Sequence, residues 1–210
     1  MTDWPTIASL ATAAGTLVLA GATFASVRSA NRAARVAERS LEAGLRPLVL
    51  PTRFDDPTQK VLFMDRFKLS VAGGQASAEE AEGVIYMAAG VRNAGAGIAI
   101  LHSWYPMAGQ HFSDEPHAPL DQFRRLSRDL YIAANDIGFW QGAIRDPDDP
   151  RREELSKAIA ARDVITIDLL YGDHEGGQRT VTRLTLTPFD SGVWVTTVGR
   201  YWHIDGGEPR

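Results

Sequence analysis

The sequence predicts a mainly β protein: an N-terminal transmembrane helix with a basic stalk, then an antiparallel β-sandwich with a helical insertion. Three observations predict it. Residues 4–27 carry no charged side chain, and arginines then recur on one face. After Pro47, about eight short runs of β-branched and aromatic residues alternate with Gly, Pro, Asn or Asp turn signals every ~8–12 residues. One stretch, 150–161, has helical spacing instead, with Glu153 and Glu154 in its first turn.

Charge and composition narrow the function. The 210 residues carry a net charge of −4, unevenly placed. Residues 1–27 hold only Asp3, and 28–46 hold five arginines against Glu38 and Glu42, so the remainder is acidic. An acidic domain argues against nucleic acid as the main partner, because phosphate-backbone binding needs a basic surface. There is no cysteine, which excludes disulfides, thiolate zinc sites and cysteine nucleophiles.

The first element is one long helix. An apolar run of ~20 residues crosses a ~30 Å hydrocarbon layer, and the uncharged window Trp4–Val27 exceeds that. Ile7, Leu10, Leu17, Val18, Leu19, Phe24 and Val27 favour insertion by roughly 2 to 4 kcal/mol, partly offset by Thr, Ser and Gly. Ala11 with Gly15, and Gly21 with Ala25, form small-xxx-small pairs through which such helices self-associate. The small residues Ala20-Gly21-Ala22 also fit a signal-peptide cleavage site. No Lys or Arg precedes them, however, so an uncleaved anchor is the preferred reading. The arginines beyond the span put the N-terminus outside and the main domain in the cytoplasm, at the cell membrane, with a single pass.

At 100° per residue, Arg28, Arg32, Arg35 and Arg39 fall within about 60° of one another and suit binding to an anionic membrane surface. Val27, Ala30, Ala34, Ala37, Leu41 and Leu45 form the opposite, small-residue face. Gly44 and Pro47 stop the helix. The organisation is therefore 1–46 for helix and stalk, 47–205 for the sandwich, and 206–210 for a polar tail.

Within the sandwich, Leu48–Leu50 between prolines reads as a short edge strand, and Val61–Val71 as a strand. Residues 72–75 read as a loop and 79–82 as an exposed segment. Gly83–Arg92 is a buried strand, 93–97 a turn, and Ile98–Trp104 the next strand. Residues 106–121 read as a long loop, and Pro119–Ser127 as a short helix or a strand. Leu130–Ile132 and Ile137–Ile144 are strands about a turn at 134–136. Asp149 caps the 150–161 helix with Pro150 at its first position, while Leu155, Ala158, Ile159 and Arg162 define its inner side, with Arg162 snorkelling. Val164–Tyr171 and Gln178–Thr187 form a hairpin, and Val193–Tyr201 a final strand.

The stretches GVIYMAAGVRNAGAGIAI, LYIAANDIGFWQGAI and VITIDLLYGD resemble the strand-turn rhythm of bacterial immunoglobulin-like adhesion modules of the CARDB kind. There, a strand ending in N-x-G-x-G leads into the next, and a P-G-like turn precedes a later one. The turn at Ala133–Asp136 and the helix at 150–161 depart from that pattern. The layout also resembles uncharacterised single-pass membrane proteins of high-GC bacteria. The resemblance implies an immunoglobulin-like sandwich and supplies no activity.

Chemical constellations are sparse. Asp173, His174 and Glu175 at a hairpin tip are weak metal candidates, and a solvated turn is the simpler reading. His102, His111 and His117 lack ligand spacing, and the acids at 146–149 suit a helix cap better than a calcium loop. No dinucleotide, Walker or G-x-S-x-G motif occurs, so no cofactor and no catalysis are expected. Trp202 and His203 stand near a possible strand-addition edge. The expectation is a membrane-anchored binding or scaffolding module that presents its sandwich to a protein partner or to its own copy. The alternatives are an accessory subunit of a membrane complex docking through the stalk, or a metal-assisted hydrolase using Asp173, His174 and Glu175.

Overall fold

The structure is a computed structural model, described over residues 3–189 and 193–205, without the side chains of residues 6, 39 and 42. The expected polar tail at 206–210 lies outside the described residues. The chain divides into two compact units, Met1–Gly44 and Leu45–Arg210.

The first unit is one helix, α1 (Trp4–Gly44). Its 41 residues extend about 60 Å, twice the hydrocarbon thickness. Within it, Ile7–Glu38 is long and apolar enough to cross a membrane. Leu10, Leu17, Val18, Leu19 and Phe24 are all exposed. The threonine hydroxyls turn back onto the helix: Thr12 donates to the Ala8 carbonyl, Thr16 to that of Thr12 and Thr23 to that of Leu19, at 2.8–2.9 Å. Three polar groups that hydrocarbon would leave unpaired are thus satisfied internally.

The second unit is mainly antiparallel β. Its strands are β1 (Val49–Pro51), β2 (Gln59–Leu62), β3 (Lys68–Val71), β4 (Gln75–Ala81), β5 (Val84–Asn93), β6 (Ala99–Ala108), β7 (Arg124–Ile132), β8 (Ile137–Ile144), β9 (Ile165–Gly172), β10 (Thr180–Pro188) and β11 (Trp194–His203). A short helix, α2 (Arg152–Ala161), joins β8 to β9. Nine strands form one curled sheet in the order β1-β5-β4-β11-β10-β9-β6-β7, with β8 on the other side of β5. β7 and β8, each paired along one side only, are consecutive in the chain and joined by the turn at 133–136, so the sheet curls back on itself.

Two places along the sheet are thin. β4 meets β11 through only two register pairs, Ala76 with Trp194 and Gln75 with Val195. No ladder joins β7 to β8 among the described residues. The main core includes Ile85, Met87, Leu101, Leu169 and Leu184. Trp104 of β6 meets Trp140 of β8 edge-on at 5.3 Å, and Leu155 and Ala158 of α2 join the same core. The β2–β3 hairpin adds a smaller cluster, in which Val61, Phe63, Leu69 and Val71 pack with Tyr86 and Ala88 of β5.

Several elements differ from expectation. Val61–Val71 is not one strand but the β2–β3 hairpin, turned by Arg66 at φ 69° and closed by Phe63 and Phe67. Residues 75–81 are β4, with Ala76 and Ala78 buried on alternate positions. β6 runs on to Ala108, and after a 3-10 turn at Leu120–Gln122 the chain enters β7 as a strand. The helix begins at Arg152 without a side-chain cap, because the Asp149 carboxylate is occupied by Arg124 and the Arg151 amide. Arg162 ends that helix in the left-handed region, its guanidinium over the Trp194 ring and bonded to the carbonyls of Phe189 and Val193.

Candidate functional site

On α1, Arg28, Arg32 and Arg35 line one shallow face with Phe24, Val27 and Asn31. The Arg39 side chain lies outside the described residues. Ala11, Gly15, Gly21 and Ala25 are exposed, and a Cβ added at Gly15 or Gly21 would meet nothing within 4 Å.

The hairpin-tip triplet is spread by its turn. Asp173 is buried, and its carboxylate accepts the Gly177 amide at 2.9 Å. His174 and Glu175 are exposed and 3.8 Å apart. Among the described residues no group of three His, Asp or Glu side chains is placed to hold a metal ion. His111 pairs with Glu115 at 2.7 Å, which holds that carboxyl below its ordinary range. His117 stands edge-on to Trp202, and Trp202 is buried rather than at an open rim. His203 is partly desolvated and sits in the field of Arg46, both of which lower its pKa.

The most enclosed charges lie elsewhere. Arg183 of β10 and Asp168 of β9 are 1% and 0% exposed. They are direct cross-strand neighbours, bonded through Nε at 2.7 Å and Nη2 at 2.8 Å. The remaining Arg183 donors reach the carbonyls of Phe112, Glu115 and Pro116, and Asp168 also accepts the Ala118 amide. Trp202 and Arg200 complete the stack, with the Trp202 ring 4.9 Å from the Arg183 guanidinium. A charge pair this deep persists only when its remaining hydrogen-bonding capacity is used. Here it is used to fasten the 109–119 loop to the sheet.

A polar cleft opens where β6, β7 and β9 fall out of register. Across β6 and β7, Leu101 pairs with Leu130 and Ser103 with Arg125, so four β7 residues stand against His102 alone. Across β6 and β9, Leu101 pairs with Tyr171 and Ser103 with Leu170, which leaves His102 as an extra residue there too. Bulges of this kind re-aim side chains and end pairing locally. The resulting cavity of about 510 Å³ is lined by His102, Ser103, Arg125, Ser127, Arg128 and Arg179, among others. Arg179 is held by Asp205 at 2.7 Å, which raises the guanidinium's pKa and lowers that of the carboxyl. The Arg125 and Arg128 side chains have no hydrogen-bond or ion-pair partner among the described residues. A smaller cavity of about 130 Å³ lies between β7 and β8, bordered by Arg125, Ser127 and Gln141. Gln141 is 4% exposed, and its Oε1 accepts no bond among the described residues.

The other exposed feature is apolar. Phe54 and Phe189, 75% and 66% exposed, flank a groove with Val193 and Val195. Sequence reasoning passed over both the cleft and the groove. The run Arg124-Arg125-Leu126-Ser127-Arg128 was the signal for the first. Compared with family models, with curated proteins and with solved structures, the chain matches none.

Proposed function

We propose that this chain is a single-pass membrane protein whose β unit is a binding or scaffolding module for a protein partner, with its N-terminus outside and that unit in the cytoplasm. The observation that carries the reading is α1. Its first half exposes Leu, Val and Phe around the whole helix, a surface that water disfavours by about 25 cal/mol per Å². The arginine face follows immediately, which favours the cytoplasmic side for what comes after it. An immunoglobulin-like sandwich, as in CARDB-type modules, is our reading of the curled sheet. It is supported by the thin β4–β11 junction, the unpaired β7–β8 seam and the main core. The Phe54–Phe189 groove is the kind of exposed apolar surface that protein partners cover. The exposed small-residue pairs of α1 favour a second reading, docking within a membrane complex through the helix.

The protein is expected in the membrane fraction, resistant to alkaline carbonate and released by mild detergent. A cytoplasm-active reporter fused after Arg210 should work, and a reporter that works only after export should not. Recovery of the intact chain in the soluble fraction would sink the anchor. Activity of the export-dependent reporter would reverse the topology.

A further inference from the structure

The geometry points to a phosphomonoester-binding site in the cleft that the His102 bulge opens between β6 and β7. This goes beyond the anchoring role and does not depend on it. Arg125, Arg128 and Arg179 come to one cavity of about 510 Å³, within the range of small-ligand sites. Against them stand Asp129, 3.9 Å from His102, and Asp205, which is committed to Arg179. The cleft is therefore net positive on a chain that is net negative.

Asp205 engages Nε and Nη2 of Arg179 and leaves Nη1 without an acceptor among the described residues. His102 and Arg179 are neighbours, since a Cβ at Gly172 would lie 3.4 Å from His102 Nε2 and 3.8 Å from Arg179 Cγ. The register break leaves the backbone of 126–129 without ladder partners on β6, and Ser103 and Ser127 add hydroxyls.

Guanidinium forks and hydroxyls are the donor set that recognises a phosphate dianion, and planar forks match two of its oxygens. Arg125, Arg128 and Arg179 gather in one cleft, a placement that suits a single phosphate group and not a polyanion backbone. A soluble phosphate ester and a phosphomonoester lipid headgroup share this chemistry.

The test uses the full chain in phosphatidylcholine nanodiscs, titrated calorimetrically with glycerol 3-phosphate and with glycerol as the neutral control. Saturable binding of the ester and none of glycerol is expected. Arg125→Ala with Arg128→Ala should weaken it at least about tenfold, because two charge-assisted contacts go. Arg53→Ala, on the exposed β1–β2 connection, should leave it unchanged. Arg128→Gln alone gives a milder second reading, and an unchanged thermal midpoint confirms that each variant is folded.

Discs containing phosphatidic acid are compared with discs of equal charge made with phosphatidylglycerol. Weaker ester binding in the former assigns the site to a headgroup, and equal binding assigns it to a soluble ester. No saturable binding, or equal binding by the double variant and the wild type, overturns the proposal.

Discussion

At the scale of single residues, the Arg183–Asp168 pair shows how much a burial site constrains chemistry. Both groups are dry, and every donor of the guanidinium that meets the loop ends on a carbonyl. Asp168→Asn or Arg183→Met removes one charge and strands the other. The expected loss is ~3–5 kcal/mol in chemical denaturation, whereas replacing both with apolar residues costs much less. Asp65 is a milder case. Burial alone would push its carboxyl up, but bonds from the Tyr86 hydroxyl at 2.7 Å and from Arg145 at 2.9 Å outweigh that and lower it. A carboxyl lowered in the folded state stabilises the fold above its unfolded value of about 3.8, and that contribution fades as pH falls through the folded value. Asp65→Asn should therefore cost under ~1 kcal/mol at neutral pH, given the solvent screening of a half-exposed pair. The gap in urea midpoint should close below about pH 4. A gap that widens in acid would contradict this account.

At the scale of elements, side-chain size decides which strands can face each other. Gly142 of β8 leaves room for the Trp104 ring of β6, and a Cβ there would lie 2.7 Å from Cζ2. Trp104 is packed against Trp140 and cannot yield easily. Gly142→Ala is expected to overpack the core by ~1–3 kcal/mol, lowering the thermal midpoint by about 3–10 °C. Gly177→Ala, with nothing within 4 Å of its Cβ, should stay within ~0.5 kcal/mol. Equal midpoints for the two variants would show that the Trp104 contact is soft.

The same packing logic explains which elements the sequence disclosed. β5, β8 and the β9–β10 hairpin were legible because β-branched and aromatic residues run between Gly, Asn and Asp turns. β4 was not, since Gln-Ala-Ser-Ala-Glu-Glu-Ala has low strand propensity, and tertiary burial of Ala76 and Ala78 overrides it. The β2–β3 turn was hidden because Arg66 takes a positive φ without a glycine to mark it. β7 lost its period-2 signal at the very bulge that opens the polar cleft. The charge pair was half legible: Asp168 and Arg183 fall opposite one another once the hairpin register is drawn.

At the scale of the whole molecule, the question is where one unit ends and the other begins, and close contacts answer it. Every residue of the three apolar clusters lies beyond position 48. The short segment before β1 is nonetheless built into the β unit. Asn93, 1% exposed, accepts the amides of Leu48 and Gly95 and donates to the carbonyls of Gly97 and Ile132. A Cβ at Gly95 would lie 2.2 Å from the Arg46 carbonyl oxygen, and one at Gly97 would lie 1.8 Å from that of Leu45. Those glycines let the incoming chain lie directly on the turn, and Arg46 Nε reaches Gln178 Oε1 at 3.0 Å. A fragment of residues 45–210 is therefore expected to fold cooperatively in water without detergent. A fragment starting at residue 52 deletes β1, exposes the Asn93 amide network and leaves the Tyr171 hydroxyl without the Val49 amide it accepts at 3.2 Å. Stranding several buried polar groups at ~1–3 kcal/mol each is enough to unfold a domain of ordinary stability. Thermal unfolding by near-ultraviolet circular dichroism separates the two: a sharp transition for 45–210, and a lost or much lowered one for 52–210. Equal midpoints would move the unit boundary past β1 and remove the structural role assigned to Asn93.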